Sequence, residues 1–512
     1  MTYQLKESSV VAIVGSGAMG SGIAQVAAAA GHPVKLYDTR PEAIDKSITG
    51  IRKTFNMLVE KGRMTAAQAE EAGQRLSPAT SLSELADASL VVEAIVENLD
   101  VKRRLFAELE AIVDAQCILA TNTSSISITS LAAELRLAGR FVGMHFFNPV
   151  PLMALVEVIS GLATDPAVAQ VVHDTAAAWG KSPVYARSTP GFIVNRVARP
   201  YYAEALRLLN EQAAEAATID AILRESGGFR MGPFELMDMI GHDVNFAVTQ
   251  SVFQAYFNDP RFTPSLVQQE LVNAGFLGRK SGRGFYSYGD GSQPPMPRNE
   301  ATVPAPAYMI ISERGSVIDA IAARAAAGGV QVVNAPASRK DGALLECGEA
   351  VLYLTDGRSA TQRAFEIGIA NTVLLDLALD YGKAKRLALC PAQQCSSEAY
   401  QAVVGLLQAC GYEVSRLGDV PGMAVMRTVA MLANEAADAV NQGVCDARAA
   451  DTAMLKGVNY PRGPLAWADE LGANYLARVL RNLSMSYGED RYRVSPLIHQ
   501  HMWSGSRFHG RI

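Results

Sequence analysis

Apolar residues run almost unbroken through "SVVAIVG" near the N-terminus, take helical spacing through "AMGSGIAQVAAAAG", and run on again in "PVKLYD". The first and third stretches read as strands buried on both faces, and the second as a helix closed by Gly31. "ASLVVEAIV", "CILATNT" and "RFVGMHFF" repeat the strand pattern with helical text between them. This alternation predicts a parallel sheet covered by helices on both faces, a doubly wound α/β domain over residues 1–188. Strand patterns then stop, and amphipathic helices fill residues 189–288. Residues 289–307 are Pro-rich and weakly apolar, the composition of a linker. Beyond them the strand–helix–strand pattern restarts in "AYMIISERGSVIDAIAARAAAGGVQVVN", giving a second α/β segment over 308–419 and a second helical segment over 420–512.

The restart is a repeat. "TPGFIVNRVARPYYAEALRLLNE" from Thr189 is echoed by "VPGMAVMRTVAMLANEAADAVNQ" from Val420, with Gly191 matching Gly422 and Gly232 matching Gly463 at one ungapped offset. Chance likeness between helices would not hold register across both landmarks, so the pattern predicts a duplicated two-domain unit.

Composition narrows the class. The chain has 512 residues, 49% hydrophobic and 19% charged, with a net charge of −5. That length exceeds one hydrophobic core, and the charge offers no basic surface for nucleic acid or an anionic membrane. No apolar run is long enough to span a bilayer, and the N-terminus lacks the pattern of a signal peptide. Six scattered cysteines suit reduced thiols better than a disulfide framework. The pair in "CPAQQC" lacks the second pair that a zinc site would need, and "HQH" near the C-terminus is set aside likewise, so no metal is expected. The expectation is a cytoplasmic, soluble, multidomain protein.

"VGSGAMG" places Gly15, Gly17 and Gly20 in the G-x-G-x-x-G pattern, after a strand and opening a helix. The glycines allow a tight turn, approach of the backbone to a pyrophosphate, and close helix–strand packing. The amides at the helix start favour phosphates. Asp38 ends the next strand, where a carboxylate binds ribose hydroxyls and repels the extra phosphate of NADP, although Arg40 lies two residues on. These features together point to NAD. His145 ends the apolar strand "FVGMHFF". It reads either as a satisfied core histidine or as a proton acceptor suited to neutral pH. Glu157, inside the apolar "ALVEVI", needs a buried partner, and His145 is the natural one. That carboxylate would fix the imidazole tautomer and favour its cationic form. Ser124 could cap a helix starting near Ile126, and Asn195 could be an ordinary polar residue at a helix start.

With the glycine loop, the phrases "EAIVENLDVKRRLF", "ATNTSSI", "GMHFFNPVPLMALVEVI" and "PGFIVNR" resemble the 3-hydroxyacyl-CoA dehydrogenase family, in family order and at family-like spacing. The whole chain resembles a long bacterial form linked to phenylacetate breakdown. The resemblance implies a Rossmann-like domain plus an all-α domain, the pair being duplicated with a degenerate second Rossmann-like domain. It implies NAD bound by Gly15, Gly17, Ala18, Met19, Gly20 and Asp38. Glu97, Lys102, Ser124 and Asn148 would lie around the nicotinamide half. It gives His145 as the base and Glu157 as its partner. Ser124 and Asn195 would contact the reacting oxygen, and Thr54 and Lys61 would lie at the CoA handle. "GFYSYG" carries Ser287 where the family often has lysine, which puts that cofactor contact in doubt. The implied reaction is oxidation of an (S)-3-hydroxyacyl-CoA, the adipyl and butyryl compounds being the leading substrates. A homo-oligomer is possible.

The second copy loses this chemistry. Two of the three glycines are missing from "IISERGS", Asn195 becomes Met426, and an approximate alignment sets Val373 at the place of Ser124 and Cys390 at that of His145. The second helical segment is expected to act as an in-chain dimer partner closing the first domain's cleft, or else to carry an oligomer contact. A crystallin-like structural role would require the first copy to have lost its site, and it keeps it. A sugar-acid dehydrogenase, commonly relying on a lysine base, is not supported by "HFFNPVP".

Overall fold

The computed structural model describes residues 3–293, 295–335 and 341–510. The outer ends of the first and last sequence segments, and Pro294 in the linker, lie outside them. Two compact units divide the chain: Met1–Arg196 with Gln442–Val458, and Val197–Asn441 with Asn459–Ile512. Among the described residues, no helix is long and apolar enough to cross a membrane.

The first unit is built on eight strands: β1 (Val11–Val14), β2 (Val34–Tyr37), β3 (Leu76–Ala79), β4 (Leu90–Glu93), β5 (Ile118–Thr121), β6 (Phe141–Phe146), β7 (Leu155–Ser160) and β8 (Ser182–Arg187). Their order is β3-β2-β1-β4-β5-β6-β7-β8. Neighbours run parallel except β6 and β7. The central strands VAIV, LVVE and ILAT are buried at every position because helices cover both faces. Strand order reverses between β1 and β4, the place where such sheets open a ligand crevice. The helix Ala447–Gly457, from the second copy, belongs to this unit and packs on β7 and β8. Gly457 permits that approach, since a Cβ there would lie 2.6 Å from a methyl of Leu155. The Arg187 amide donates to the Val444 carbonyl at 2.9 Å, pairing part of the open edge of β8.

The second unit holds a seven-stranded sheet of β9 (Tyr308–Ile311), β10 (Gln331–Asn334), β11 (Ala343–Cys347), β12 (Ala350–Leu354), β13 (Thr372–Leu375), β14 (Arg386–Pro391) and β15 (Glu413–Arg416), in the order β10-β9-β11-β12-β13-β14-β15. It keeps parallel pairs at β9/β10, β12/β13 and β14/β15. However, β11 runs antiparallel to both neighbours, so this is a degenerate copy.

The register corrects two of the sequence matches. Leu375 faces Leu389 in the antiparallel pair β13/β14 as Met144 faces Val158 in β6/β7, both shifted by 231 positions. One residue further along, Asp376 stands at the place of His145, and Ala388 at that of Glu157. Cys390 therefore matches Ile159, not His145. Likewise Tyr353 lies beside Leu374 as Thr121 lies beside Gly143. Three residues on, Asp356 takes the place of Ser124, and Val373 lies inside a strand. Letter similarity between "TNTSS" and "ANTVL" joined the wrong strands, because hydrogen-bond register is not visible in composition.

Also in the second unit, helix Arg199–Asn210 of the first copy packs on Val425–Asn441 of the second. Charges at this junction pair reciprocally. Arg491 lies 3.0 Å from Glu204, and Arg261 lies 3.1 Å from Glu435, with Asp438 also bound to Arg261. Glu435 repeats Glu204 at the 231-residue spacing, and the two arginines sit mid-turn in Pro260–Phe262 and Asp490–Tyr492. Arg427 adds a 2.7 Å contact to Glu204, both side chains being fully buried. Burial works against the Glu204 charge, but Arg491 and Arg427 outweigh it and hold the carboxyl down at about 2, from 4.5. Below pH 4.5 the unfolded chain therefore takes up this proton before the folded one. The contribution is full above 4.5 and lost as pH falls towards 2, on the order of 3 kcal/mol in all. Glu204→Gln is expected to cost about 3–5 kcal/mol at pH 7 by leaving the buried Arg491 without a carboxylate and Arg427 with Glu211 alone. The gap in urea midpoint from wild type should narrow as pH falls through that window, and a gap constant with pH would contradict the assignment.

Candidate active site

The turn after β1 meets the demands of the glycine motif. Gly15 adopts φ +106°, and a Cβ there would lie 2.5 Å from the Ala94 carbonyl oxygen. A Cβ on Gly20 would lie 1.8 Å from the Gly15 oxygen, so any larger residue would break the turn. Gly17 is different, because nothing lies within 4 Å of its Cβ position. It is the N-cap of Ala18–Ala29, whose first turn has no side-chain cap, leaving those amides to a ligand. Gly17 and Ala18 line a cleft of about 670 Å³ that also takes in Ser21, Lys46 and Thr54. Met19 follows in the first turn. Asp38 stands at the end of β2, where Ser16 donates to it from its amide (2.9 Å) and hydroxyl (2.7 Å). Burial would raise the Asp38 carboxyl, but bonds from Ser16 and Arg40 hold it below its ordinary value. Lys61 is exposed at the C-cap of Pro41–Glu60 and does not line that cleft, whereas Thr54 does.

At the C-terminal ends of β4 and β5 a second cluster forms. Glu97 accepts from the Thr123 hydroxyl (2.6 Å), the Ser124 amide (2.9 Å) and the Ser125 amide (3.2 Å). This bundle fixes the loop after β5. Lys102, almost fully buried, reaches Glu97 at 3.2 Å and Glu93 at 2.6 Å. Burial would raise the Glu97 carboxyl, but Lys102 and the donors of the loop bring it below its ordinary value. Glu93 was missed in the sequence, although an acid ending the apolar strand LVVE signals a buried partner. The Lys102 ammonium is thus spent on two carboxylates of the protein itself. The helix after this loop is Ile128–Ala132, capped by Ser127, so Ser124 is not a cap. Asn148 is exposed beyond β6, next to a cis bond to Pro149.

His145 and Glu157 face each other across the antiparallel pair β6/β7. Nδ1 of His145 lies 2.7 Å from one Glu157 oxygen. The other oxygen accepts the amides of Ile193 and Val194, each at 2.9 Å. Glu157 is fully buried and His145 nearly so, with Phe147 and Phe192 rings beside the imidazole at 4.5 and 5.9 Å. Phe192 itself holds φ +47°, a left-handed conformation that costs a non-glycine residue about 1–2 kcal/mol. That strained turn aims the start of Val194–Val197 at Glu157. Asn195, on this helix, donates from Nδ2 to the Ser124 carbonyl at 3.4 Å. The fold thus brings Ser124, His145, Glu157 and Asn195 into one unit. With Nδ1–H held by the carboxylate, Nε2 is left with its lone pair to accept a proton. Lys102→Met should lower stability by about 3–5 kcal/mol by stranding the buried Glu93 charge, read as a shift in urea midpoint. An unchanged midpoint would place Lys102 outside this structural cluster.

Known proteins match along nearly the whole chain. A model of the 3-hydroxyacyl-CoA dehydrogenase NAD-binding domain matches residues 10–189. The 3-hydroxyacyl-CoA dehydrogenase C-terminal domain matches twice, at 191–288 and 422–507. A model described as a 3-hydroxybutyryl-CoA dehydrogenase reduced Rossmann-fold domain matches 352–421. The chain is 45% identical over 490 residues to the 3-hydroxyadipyl-CoA dehydrogenase of Escherichia coli, covering 96% of each. A crystal structure of 3-hydroxybutyryl-CoA dehydrogenase from E. coli K12 matches with a TM-score of 0.89 and 44% identity, over 98% of this chain and all of that one. Human mitochondrial hydroxyacyl-coenzyme A dehydrogenase is 40% identical over 284 residues, 54% of this chain and 90% of its own. With its Rossmann-like NAD-binding domain and duplicated helical domain, the chain belongs to the 3-hydroxyacyl-CoA dehydrogenase family of NAD-dependent oxidoreductases.

Proposed function

We propose that His145 removes the hydroxyl proton of an (S)-3-hydroxyacyl-CoA as hydride leaves C3, giving the 3-oxoacyl-CoA. The observation that carries this is the 2.7 Å contact between Nδ1 and a fully buried Glu157. It leaves Nε2 for the substrate and stabilises the imidazolium formed when the proton arrives. The residues around the glycine turn fit NAD: free amides at Ala18, open space above Gly17 and a carboxylate at Asp38. Bound NAD supplies the hydride acceptor. Ser124 and Asn195 hold the reacting oxygen while its charge changes, so placement rather than covalent chemistry lowers the barrier. Glu97 and Lys102 keep the Ser124 loop in shape. Thr54, which lines the cleft, is the contact proposed for the CoA moiety, and Lys61, exposed and off that cleft, adds only a screened charge.

The acyl group is assigned as adipyl, because the 3-hydroxyadipyl-CoA dehydrogenase of E. coli is alike over 96% of both chains. A butyryl preference is the second reading, favoured by the 3-hydroxybutyryl-CoA name of the TM-score 0.89 structure. Initial rates with NAD on (S)-3-hydroxybutyryl-, hexanoyl- and adipyl-CoA decide between them. Adipyl is expected to lead in kcat/KM, and His145→Gln to lose about 10²–10⁴-fold on every substrate. A lead for butyryl would move the assignment, and no turnover with NAD still bound would end the reading.

The second copy serves as a dimer partner within one chain. Its helix Val425–Asn441 covers Arg199–Asn210, and its segment 442–458 covers β7 and β8. A chain truncated after Asp290 should dimerise or lose activity, because Glu204 is left without Arg427 and Arg491. Sedimentation showing a stable monomer with full activity would sink this role.

A further inference from the structure

The two copies trade a helix. Within the second unit, Ala216–Glu225 of the first copy packs on β14, as Ala447–Gly457 of the second packs on β7 within the first unit. The trade is matched at the 231-residue spacing: the Arg187 amide donates to the Val444 carbonyl at 2.9 Å, and the Gly418 amide to the Ala213 carbonyl at 2.8 Å. At the helix ends the two contacts differ. In the second unit the buried Ser226 donates its hydroxyl to the Arg386 carbonyl at 2.6 Å. At the matching positions of the first unit stand Gly457 and Leu155, so the helix brings no side chain to the strand.

The backbone does not ask for glycine at 457. It is the last residue of an α-helix and does not hold the left-handed conformation, and glycine weakens a helix relative to alanine. The space asks for it instead. A Cβ there would lie 2.6 Å from a δ-methyl of Leu155 and 3.1 Å from a γ-methyl of Val194. Both side chains are buried, so neither can yield without moving what it packs on. Leu155 stands two residues before Glu157 on β7, on the same face. Val194 donates its amide to Glu157. Gly457 therefore touches both elements that Glu157 joins. The same segment also reaches the field of that carboxylate, since burial, Asp446 and Glu157 together push the Cys445 thiol up to about 12.

We propose that Gly457, contributed by the second copy, is a positioning residue for proton transfer: lacking a side chain, it lets its helix brace Leu155 and Val194 and so keep Glu157 against His145. This rests on the oxidation assigned above and gives the inert copy a part in it. The second unit has Ala388 at the place of Glu157, with no such pair to brace, and there a serine serves at the helix end.

The test is the pH profile of kcat/KM for the full chain, with NAD and the better of the adipyl and butyryl substrates, on wild type, Gly457→Ala, Leu155→Ala and the double variant. Gly457→Ala is expected to lose about 10-fold in kcat while KM and the Kd for NAD change by less than about twofold, because the misplacement acts on proton transfer and not on binding. The acidic limb of its profile should move to lower pH, since the imidazolium loses part of its carboxylate. Leu155→Ala makes room for the added methyl, so the double variant should regain most of the rate and the wild-type limb. A fall in rate with the limb unmoved, or a double variant no faster than Gly457→Ala, would overturn the proposal. Should Gly457→Ala fold poorly, Leu155→Ala decides, because it slackens the same contact. Its limb should shift too, and adding Gly457→Ala should restore it; no restoration rejects the brace. Wild-type turnover without these shifts fails this proposal alone, whereas a wild type without turnover fails the oxidation and the brace with it.

Discussion

One carboxylate ties the first unit together. Glu157 is fully buried, and an ionised carboxylate can stay there only while its oxygens are matched by donors. One oxygen takes two amides at the start of the helix carrying Asn195, and the other takes the His145 imidazole. Strand β7, the helix start and the imidazole are therefore held by a single charge, and none can shift without stranding it. The left-handed Phe192 is the strain accepted to deliver those amides.

The second copy meets the same demand without the imidazole. Asp376, at the place of His145, accepts the amides of Ala424 (2.9 Å), Val425 (2.8 Å) and Met426 (3.0 Å) itself. Ala388 stands where Glu157 would be, and Met423 repeats the left-handed turn of Phe192. Burial pushes the Asp376 carboxyl up to about 6, against the pull of those amides. The copy keeps the capped helix, a matter of stability, and drops the group that moves a proton. Met426, wholly buried, then fills by packing the position that Asn195 gives to a polar contact.

Much of the fold was legible because periodicity reports burial. The continuous apolar runs of β1, β4 and β5 read as two-sided burial, and the ungapped match of Gly191 with Gly422 exposed the duplication. Part of the candidate site was legible too, since polar residues inside apolar text, such as His145 and Glu157, must be paired or functional, and these two are paired. Glu93 carried the same signal in LVVE and was passed over. Lys102 is legible only through the family resemblance, as a neighbour of the nicotinamide half, and packing alone shows it buried between Glu93 and Glu97.

By itself the sequence determined the glycine turn, the α/β-then-helical plan and the residue types able to do the chemistry, because these depend on local sterics and on hydrophobic period. The tertiary structure decided which strands correspond between the copies, which carboxylate each buried arginine meets, and that a helix of the second copy belongs with the first sheet. Those facts depend on hydrogen-bond register and on contacts between residues hundreds of positions apart. One strand's slip gives the same local pattern with a different partner, so no local reading could have chosen Asp376 over Cys390.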